Sequence, residues 1–350
     1  MDKRTLLAVV LSTVVITIGF MLQAKYFPAP EQEIAETTVV EEAEETAAVQ
    51  AEEVPRQAAP SSNELLLDTE KVIEEETIKA ETNRFFIAFS NSGGVITSLK
   101  LKEHEDNGEP LEMIFRGSED QAAFELAFGD YEAEPLSDNF EYQRVGEYTF
   151  EFSKAFLAPP DQSGERNPFI LRKTYKFTEE DYMMELKIGI ENSVNKIPPL
   201  NFDGYSYSLI LGPQIGPEFT ELDNRYFYRR FYTFNEKKAK VVKIKNGAQV
   251  LEERAIWTGL AGKYFTAIGV TDSTDYEITM TEENRSGLPQ ANQIIYSRPP
   301  VKSSNSQDTF KFYFGPKLKK YLTPYNTPSE NGFNMKDLNL DEIEDPHIIA

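Results

Sequence analysis

The residues able to do chemistry in this chain are few, because 350 residues include two histidines and no cysteine. His104 lies in the polar stretch KEHEDNGE, which predicts a surface loop, and His347 lies near the C-terminus. A nucleophile–histidine site needs its imidazole in a supported pocket, and a structural zinc site needs Cys or His ligands. The sequence therefore predicts no catalytic centre, no metal site and no cofactor.

Acidic side chains are abundant, but their spacing does not predict a catalytic pair. Glu179, Glu180 and Asp181 are consecutive in a predicted turn, where they should splay apart. Asp272–Asp275 resembles the start of a calcium loop but lacks its glycine. Gly93-Gly94 joins two predicted strands and is followed by no helix, which is wrong for a phosphate loop.

The stretch RYFYRRFY at Arg225–Tyr232 interleaves basic and aromatic residues. It could be a platform for nucleic acid or a ligand, a protein-contact patch, or an ordinary strand with Phe227 and Phe231 facing inward. The outward-facing residues of that strand would be Tyr226, Tyr228 and Arg230. A net charge of −22 argues against nucleic acid as a partner. The single tryptophan, Trp257, is expected in the core.

Strands must position these residues, since period-two alternation and frequent aromatics begin at Arg84. Asn91-Ser92-Gly93-Gly94 predicts a tight turn between the first two strands. The predicted strands are Arg84–Phe89, Val95–Leu101, Ala122–Phe128, Tyr148–Phe152, Phe169–Phe177, Met183–Asn192, Tyr205–Leu211, Tyr226–Phe234, Lys240–Lys245, Tyr264–Val270, Tyr276–Met280, Gln293–Tyr296 and Asp308–Phe314. With no long amphipathic helix between them, they predict one all-β sandwich over residues 84–322. Pro316–Leu322 could form a short helix.

The apolar stretch Thr5–Ala24 carries no charge and is long enough to cross a bilayer as a helix. Lys3 and Arg4 precede it, so we expect the N-terminus in the cytoplasm and the main domain outside the inner membrane. The competing interpretation is a cleaved signal peptide. That interpretation fits less well, because the apolar run is long and Leu22-Gln23-Ala24 is a poor cleavage site.

Residues 31–83 hold 16 acidic side chains against three basic ones, which predicts a solvated and extended tether. The acidic balance also argues against the domain lying flat on anionic lipid. The expected organisation is an anchor at 1–27, a disordered acidic linker at 28–83, the β domain at 84–322 and a polar tail at 323–350.

A set of motifs in order along the chain resembles the N-terminal half of the YidC-type bacterial membrane protein insertases, relatives of the mitochondrial Oxa and chloroplast Alb proteins. The motifs follow the start MDKRTLLAVVLS and the acidic linker; they are NSGGVITSLKL, RKTYKFTEEDYMMELKIGIEN, WTGLAGKYFTAIGV and FKFYFGPKLKKYL. The residues that carry the resemblance within them are Gly93, Gly94, Trp257, Lys263, Tyr264, Phe265, Gly315, Pro316 and Lys317.

The resemblance implies a periplasmic β-super-sandwich similar to galactose mutarotases, working by binding and without enzymatic activity. It also implies nascent membrane proteins, the Sec translocon with its accessory subunits, and inner-membrane lipid around residues 5–24 as partners. In the family a bundle of five further spans does the insertion, and this sequence contains no second apolar span of 18 residues. A truncated insertase and a protein that kept only the first part both remain open. So do a membrane-anchored carbohydrate-binding or sugar-epimerising sandwich and an adhesin-like structural protein.

Overall fold

The computed structural model describes residue 65 and residues 72–114, 122–192, 194–212, 229–245, 247–283 and 291–344. The predicted anchor at 5–24 lies outside the described residues, as do most of the predicted linker, Tyr226 and Tyr228. Within those ranges, no helix has the length and apolar character required to cross a bilayer.

The described residues form three antiparallel sheets and very little helix. The four-stranded sheet has the order β1-β2-β3-β4, the five-stranded sheet β13-β16-β17-β10-β5, and the nine-stranded sheet β12-β11-β14-β15-β18-β9-β8-β7-β6. The strands are β1 Thr77–Glu81, β2 Phe85–Ser90, β3 Val95–Asp106, β4 Glu109–Glu112, β5 Glu125–Ala127, β6 Glu141–Gly146, β7 Thr149–Leu157, β8 Pro168–Lys176, β9 Met183–Asn192, β10 Tyr207–Leu211, β11 Arg230–Phe234, β12 Ala239–Val242, β13 Ala248–Val250, β14 Trp257–Ala261, β15 Phe265–Thr271, β16 Glu277–Glu283, β17 Ala291–Arg298 and β18 Asn305–Pro316.

The nine-stranded sheet has an inner face that contacts both smaller sheets. On this face Phe150, Tyr175, Leu186 and Phe310 lie side by side through the pairing of β7, β8, β9 and β18. Phe89 of β2 lies 5.0 Å from Phe150, measured between ring centroids. A second contact joins β17 to β18, where the Tyr296 and Phe310 rings are 5.7 Å apart. Aromatic packing therefore joins the three sheets around one core.

Alternation explains the long central strands. In β9 the predicted apolar face is confirmed, because its four members are all buried: Met184, Leu186, Ile188 and Ile190. The residues between them face outward, where Lys311 of the neighbouring β18 lies 3.1 Å from Glu185. Burial of one face and solvation of the other fixes the register, since a one-residue slip would exchange the two faces.

The ordered domain extends beyond both predicted boundaries. Strand β1 pairs with β2 from Thr77 onward, so the sheet starts inside the range predicted as linker. The residues after 322 do not form a frayed tail. They make three short 3-10 turns and bury four apolar side chains against the domain: Tyr325, Leu338, Leu340 and Ile343. The predicted short helix is confirmed in part as α1, Lys319–Leu322.

His104 is not in a loop, in contrast to the sequence prediction. It lies in β3, which continues to Asp106, and its ring packs edge-on against Phe265 at 5.3 Å between centroids. Burial lowers the pKa of this imidazole. The polar residues of KEHEDNGE face solvent from a strand because β3 and β4 form a hairpin that closes at Asn107-Gly108.

Candidate partner-contact surface

The Gly93-Gly94 turn is tied to the core by two residues of β8. The Lys173 side-chain nitrogen donates to the Gly93 carbonyl at 2.9 Å and to the Phe124 carbonyl at 2.6 Å. The Tyr175 hydroxyl donates to the Gly94 carbonyl at 2.8 Å. Lys173 is fully buried, and that burial lowers its pKa to about 7. The turn is therefore a structural element, and its glycines are not available to a partner.

Both glycines have backbone angles in the left-handed region, with φ of +68° at Gly93 and +57° at Gly94. A Cβ built on Gly93 would lie 2.6 Å from the Leu136 carbonyl oxygen. On Gly94 it would lie 2.9 Å from the Phe152 Cβ. Glycine is required here by both torsion and space.

Trp257 lies on the outer face of the nine-stranded sheet, beneath the C-terminal residues. Its indole N–H donates to the Leu338 carbonyl at 2.9 Å, and its ring stacks on Phe234 at 5.2 Å between centroids. In the same strand, a Cβ on Gly259 would approach the Ile343 side chain to 3.1 Å. The core role predicted for Trp257 is confirmed. The residues that cover it belong to the C-terminal segment, which sequence patterns had not placed in the fold.

The remaining motif residues meet where the central strands β14, β15 and β18 of the same sheet end. Phe265 pairs with Pro316, and the backbone N–H of Lys317 donates to the Tyr264 carbonyl at 2.7 Å. This places the tip of the β14–β15 hairpin beside the residues that follow β18. We call the exposed side chains here the basic–aromatic edge; its members are Lys263, Tyr264, Leu318, Lys319 and Lys320. Phe265 is half-buried, whereas Gly315, Pro316 and Lys317 are buried beneath the edge.

A polar cleft of about 550 Å³ lies between the β8–β9 turn and the C-terminal residues. Asp181 fastens the two walls together: its carboxylate accepts hydrogen bonds from the Tyr325 hydroxyl and, at 2.8 Å, from the Gly332 N–H. It also accepts the Met183 N–H at 3.0 Å within its own turn. The predicted turn is confirmed, and Asp181 has a structural role there.

Arg84 lies beside the β8–β9 wall of this cleft. The guanidinium lies 2.7 Å from Glu103 and 3.3 Å from Glu180, and it sits over the Tyr182 ring. Burial raises the pKa of the Tyr182 hydroxyl, which donates to Glu103 at 3.1 Å. These charges are mutually paired, so this arrangement can position groups but does not offer a free acid–base pair.

Strand β11 holds Arg230, Phe231 and Tyr232 of the RYFYRRFY stretch. Phe231 is buried and Arg230 is exposed, as the strand interpretation predicts. Next to it, β12 and the turns on either side carry a lysine strip of exposed residues, which are Lys237, Lys238, Lys240, Lys243 and Lys245. Part of the strip borders a second cleft of about 490 Å³, whose opposite wall includes Glu252 and Glu253.

The structure thus brings together one group of motif residues and separates the others. Residues 263–265 and 315–317 meet at the basic–aromatic edge, whereas Gly93-Gly94 lies against the inner face and Trp257 against the outer face. Sequence reasoning missed Lys173 and Asp181. A lysine at an inward position of an otherwise alternating strand was the available signal for Lys173.

No cluster of side chains suited to a metal ion occurs within the described ranges. The surface features of the described residues are two polar clefts, a lysine strip and a basic–aromatic edge on a mostly β domain.

Residues 77–342 match the sequence model of a family described as the YidC periplasmic domain. The chain belongs to this family. The match begins at the first residue of β1 and ends within the last 3-10 turn, so it spans nearly the whole described fold.

Two spirochaete relatives carry the name membrane protein insertase YidC. The protein of Treponema denticola is 30% identical over 98% of this chain and 60% of its own length. That of Treponema pallidum is 27% identical over 98% of this chain and 62% of its own length. The chain therefore spans about three fifths of the length of these relatives.

Solved structures with a similar chain path are sugar-mutarotase relatives at low identity. A galactose mutarotase-like protein of Lactobacillus casei is 11% identical, with a TM-score of 0.47 over 69% of this chain and all of its own. A galactose mutarotase related enzyme of Lactobacillus acidophilus is 12% identical, with a TM-score of 0.43 over 68% of this chain and 97% of its own. These likenesses concern the fold and carry no information on activity.

Proposed function

We propose that this chain is the anchored, extracytoplasmic part of a membrane protein insertase and that it aids the insertion and folding of inner-membrane proteins, with or without the Sec translocon. The observation that carries the proposal is the family match over residues 77–342. The names of the two Treponema relatives support it. In this proposal the domain acts by binding and has no enzymatic activity.

The partners follow from that role. They are nascent membrane proteins, the Sec translocon with its accessory subunits, and membrane lipid around residues 5–24. The uncharged length of that stretch and the preceding Lys3 and Arg4 support an N-terminus in the cytoplasm and a periplasmic main domain. Tyr226, Tyr228 and Arg230 are proposed as one contact patch, because Tyr and Arg are enriched where proteins bind each other.

The three-sheet architecture supports the finer fold assignment, a β-super-sandwich of the galactose-mutarotase type. We place the boundaries of this domain at Thr77 and about residue 344, wider than the sequence predicted. A carbohydrate-binding or epimerase role has no observation in its favour, since the charged side chains of the larger cleft are engaged with one another.

The function is tested by depleting the chain in its natural host and following membrane insertion of a single-span reporter protein. Insertion should slow on depletion and recover when the full chain is supplied again. Reporter insertion that stays unchanged in fully depleted cells would contradict the insertase role.

The topology is tested separately with protease added to intact spheroplasts. The main domain should be released by cleavage within the acidic stretch 28–83, whose composition predicts a solvated tether, while an N-terminal epitope stays protected. Cleavage of the epitope with a protected main domain would reverse the proposed orientation.

A further inference from the structure

The basic–aromatic edge exposes large apolar surface in a basic setting. Tyr264 is 58% exposed and Leu318 is 47% exposed. Three exposed lysines surround them: Lys263, Lys319 and Lys320. The chain as a whole is strongly acidic, so a concentration of positive charge around exposed Tyr and Leu side chains calls for an explanation beyond solubility.

Few acidic side chains neutralise this edge. In the described part of the chain, the one carboxylate within 4 Å of these ammonium groups is Asp341, at 3.9 Å from Lys319. The Lys263 nitrogen instead lies 4.9 Å from the centre of the Tyr264 ring, and the Lys320 nitrogen 4.5 Å from that of Tyr321. Lysines therefore outnumber ion-paired carboxylates at this edge, although Lys320 also borders the first cleft, whose lining includes Glu179 and Glu180.

The edge is held in place by the fold. The Lys317 N–H bonds the Tyr264 carbonyl at 2.7 Å, and the buried Tyr313 hydroxyl bonds the Pro316 carbonyl at 2.8 Å. Leu322, one turn beyond Leu318, is fully buried and fixes α1 against the sheet. The exposed side chains are thus presented on a fixed backbone, which reduces the entropy lost when they make contacts.

The composition of the edge favours lipid over protein. Tyrosine and leucine partition into the region between headgroups and acyl chains, and flanking lysines reach the phosphates with their alkyl stems covering apolar surface. Protein–protein interfaces, by contrast, are depleted of lysine. Three lysines around one Tyr and one Leu match an anionic membrane surface.

We propose that the basic–aromatic edge docks the domain onto anionic phospholipid, as a second membrane contact besides residues 5–24. Docking through one edge leaves most of the acidic surface away from the lipid. The inference rests on the membrane anchoring proposed above and does not depend on insertase activity.

The test uses the absence of cysteine from the chain. Full-length Leu318→Cys protein is labelled with a small fluorophore and reconstituted in nanodiscs that contain doxyl-labelled lipid as a quencher. The nanodiscs are either phosphatidylcholine alone or phosphatidylcholine with phosphatidylglycerol. A Val145→Cys label is the matched control. Val145 has the same exposed fraction as Leu318, 47%, and lies in the edge strand β6, far along the nine-stranded sheet from β18.

We expect the Leu318 label to be quenched in phosphatidylglycerol nanodiscs and the Val145 label to stay unquenched. Each Lys→Gln change at Lys263, Lys319 or Lys320 should weaken docking about fivefold, the loss expected for one cation near an anionic surface. Trp257 emission checks that the variants remain folded.

Equal quenching of both labels would overturn the proposal, as would quenching at Leu318 that ignores the lipid charge and the three lysines. A Leu318 label that lipid never quenches would overturn it too. Because the nanodiscs hold no translocon and no nascent chain, these outcomes are independent of the depletion experiment.

Discussion

Lys173 shows how a buried side-chain amine can satisfy two backbone carbonyls inside the core. A neutral amine has two N–H groups, and here they meet the carbonyls of Gly93 and Phe124. An ammonium would bring a third N–H and a charge into a site with no water-exposed surface. The hydrogen bonding therefore agrees with the lowered pKa of about 7.

This burial predicts a pH dependence of stability. The unfolded lysine keeps a pKa near 10.5, so between about pH 7 and 10 the unfolded state binds more protons than the folded state. The free energy of unfolding should rise with pH in that window, by at most about 1.4 kcal/mol per pH unit. Urea unfolding of the wild type and of Lys173→Met measures this effect. The free energy of unfolding of the wild type minus that of the variant should increase from pH 7 to pH 9. A constant difference would mean that Lys173 is charged in the fold.

Gly93→Ala should be strongly destabilising, and Gly108→Ala supplies a matched control. Both residues have positive φ, +68° and +84°, so each variant carries a left-handed penalty of about 1–2 kcal/mol. A Cβ on Gly93 also meets the Leu136 carbonyl, whereas one on Gly108 meets nothing within 4 Å. Urea denaturation should show the larger loss for Gly93→Ala; equal losses would mean that the turn can shift.

At the scale of elements, patterning predicted most of the central strands and missed several edge strands. Strands β1 and β6 end their sheets, and solvent covers much of their surface, so their sequences TIKAE and EYQRVG carry no clear apolar face. Strand β14 was not predicted for the opposite reason. All five residues of WTGLA are buried, because the C-terminal residues cover its outer face, and a strand buried on both sides does not alternate.

The C-terminal segment was hidden from sequence analysis for a related reason. Its buried residues are scattered among Asn, Pro and acidic residues with neither helical nor strand period, and they pack through single contacts. Tyr325 meets Tyr313 at 5.6 Å between ring centroids, and Leu338 meets Trp257 through its carbonyl. Such irregular packing is decided by tertiary structure, which local patterns do not encode.

Asp181→Ala should release this segment. The change removes three hydrogen bonds to a carboxylate, from Met183, Tyr325 and Gly332, and should lower the free energy of unfolding by about 2–3 kcal/mol. Hydrogen exchange of residues 324–335 should accelerate. The control is Glu179→Ala in the same turn, where one 3.4 Å contact to Asn83 is lost. Unchanged exchange in Asp181→Ala would show that apolar packing alone holds the segment.

At the scale of the molecule, the sequence was sufficient for the mostly β class and the family, but not for the contact surfaces. The basic–aromatic edge combines residues 263–264 with residues 318–320, which become neighbours through the pairing of β15 with β18. No local pattern links them. The net charge likewise did not indicate a basic surface in this acidic protein, because a charge count does not say which side chains become neighbours in the fold.

The single core predicts cooperative unfolding of the domain. Buried residues of all three sheets belong to one cluster in the described ranges, so no sheet has a core of its own to remain folded on. Far-UV circular dichroism and Trp257 fluorescence of the full chain in detergent should give the same urea midpoint. A fluorescence transition at lower urea would show that the outer-face cover detaches first.

The lysine strip on β12 affects how the edge of the nine-stranded sheet can associate with other copies of the protein. In the described part of the chain β12 closes one end of the nine-stranded sheet, where free backbone groups could recruit a strand from another molecule. Two such ends would have to bring Lys240 and its neighbours on both copies into mutual repulsion. Repulsion between the lysine strips of two copies thus opposes pairing of their β12 strands into a continuous sheet.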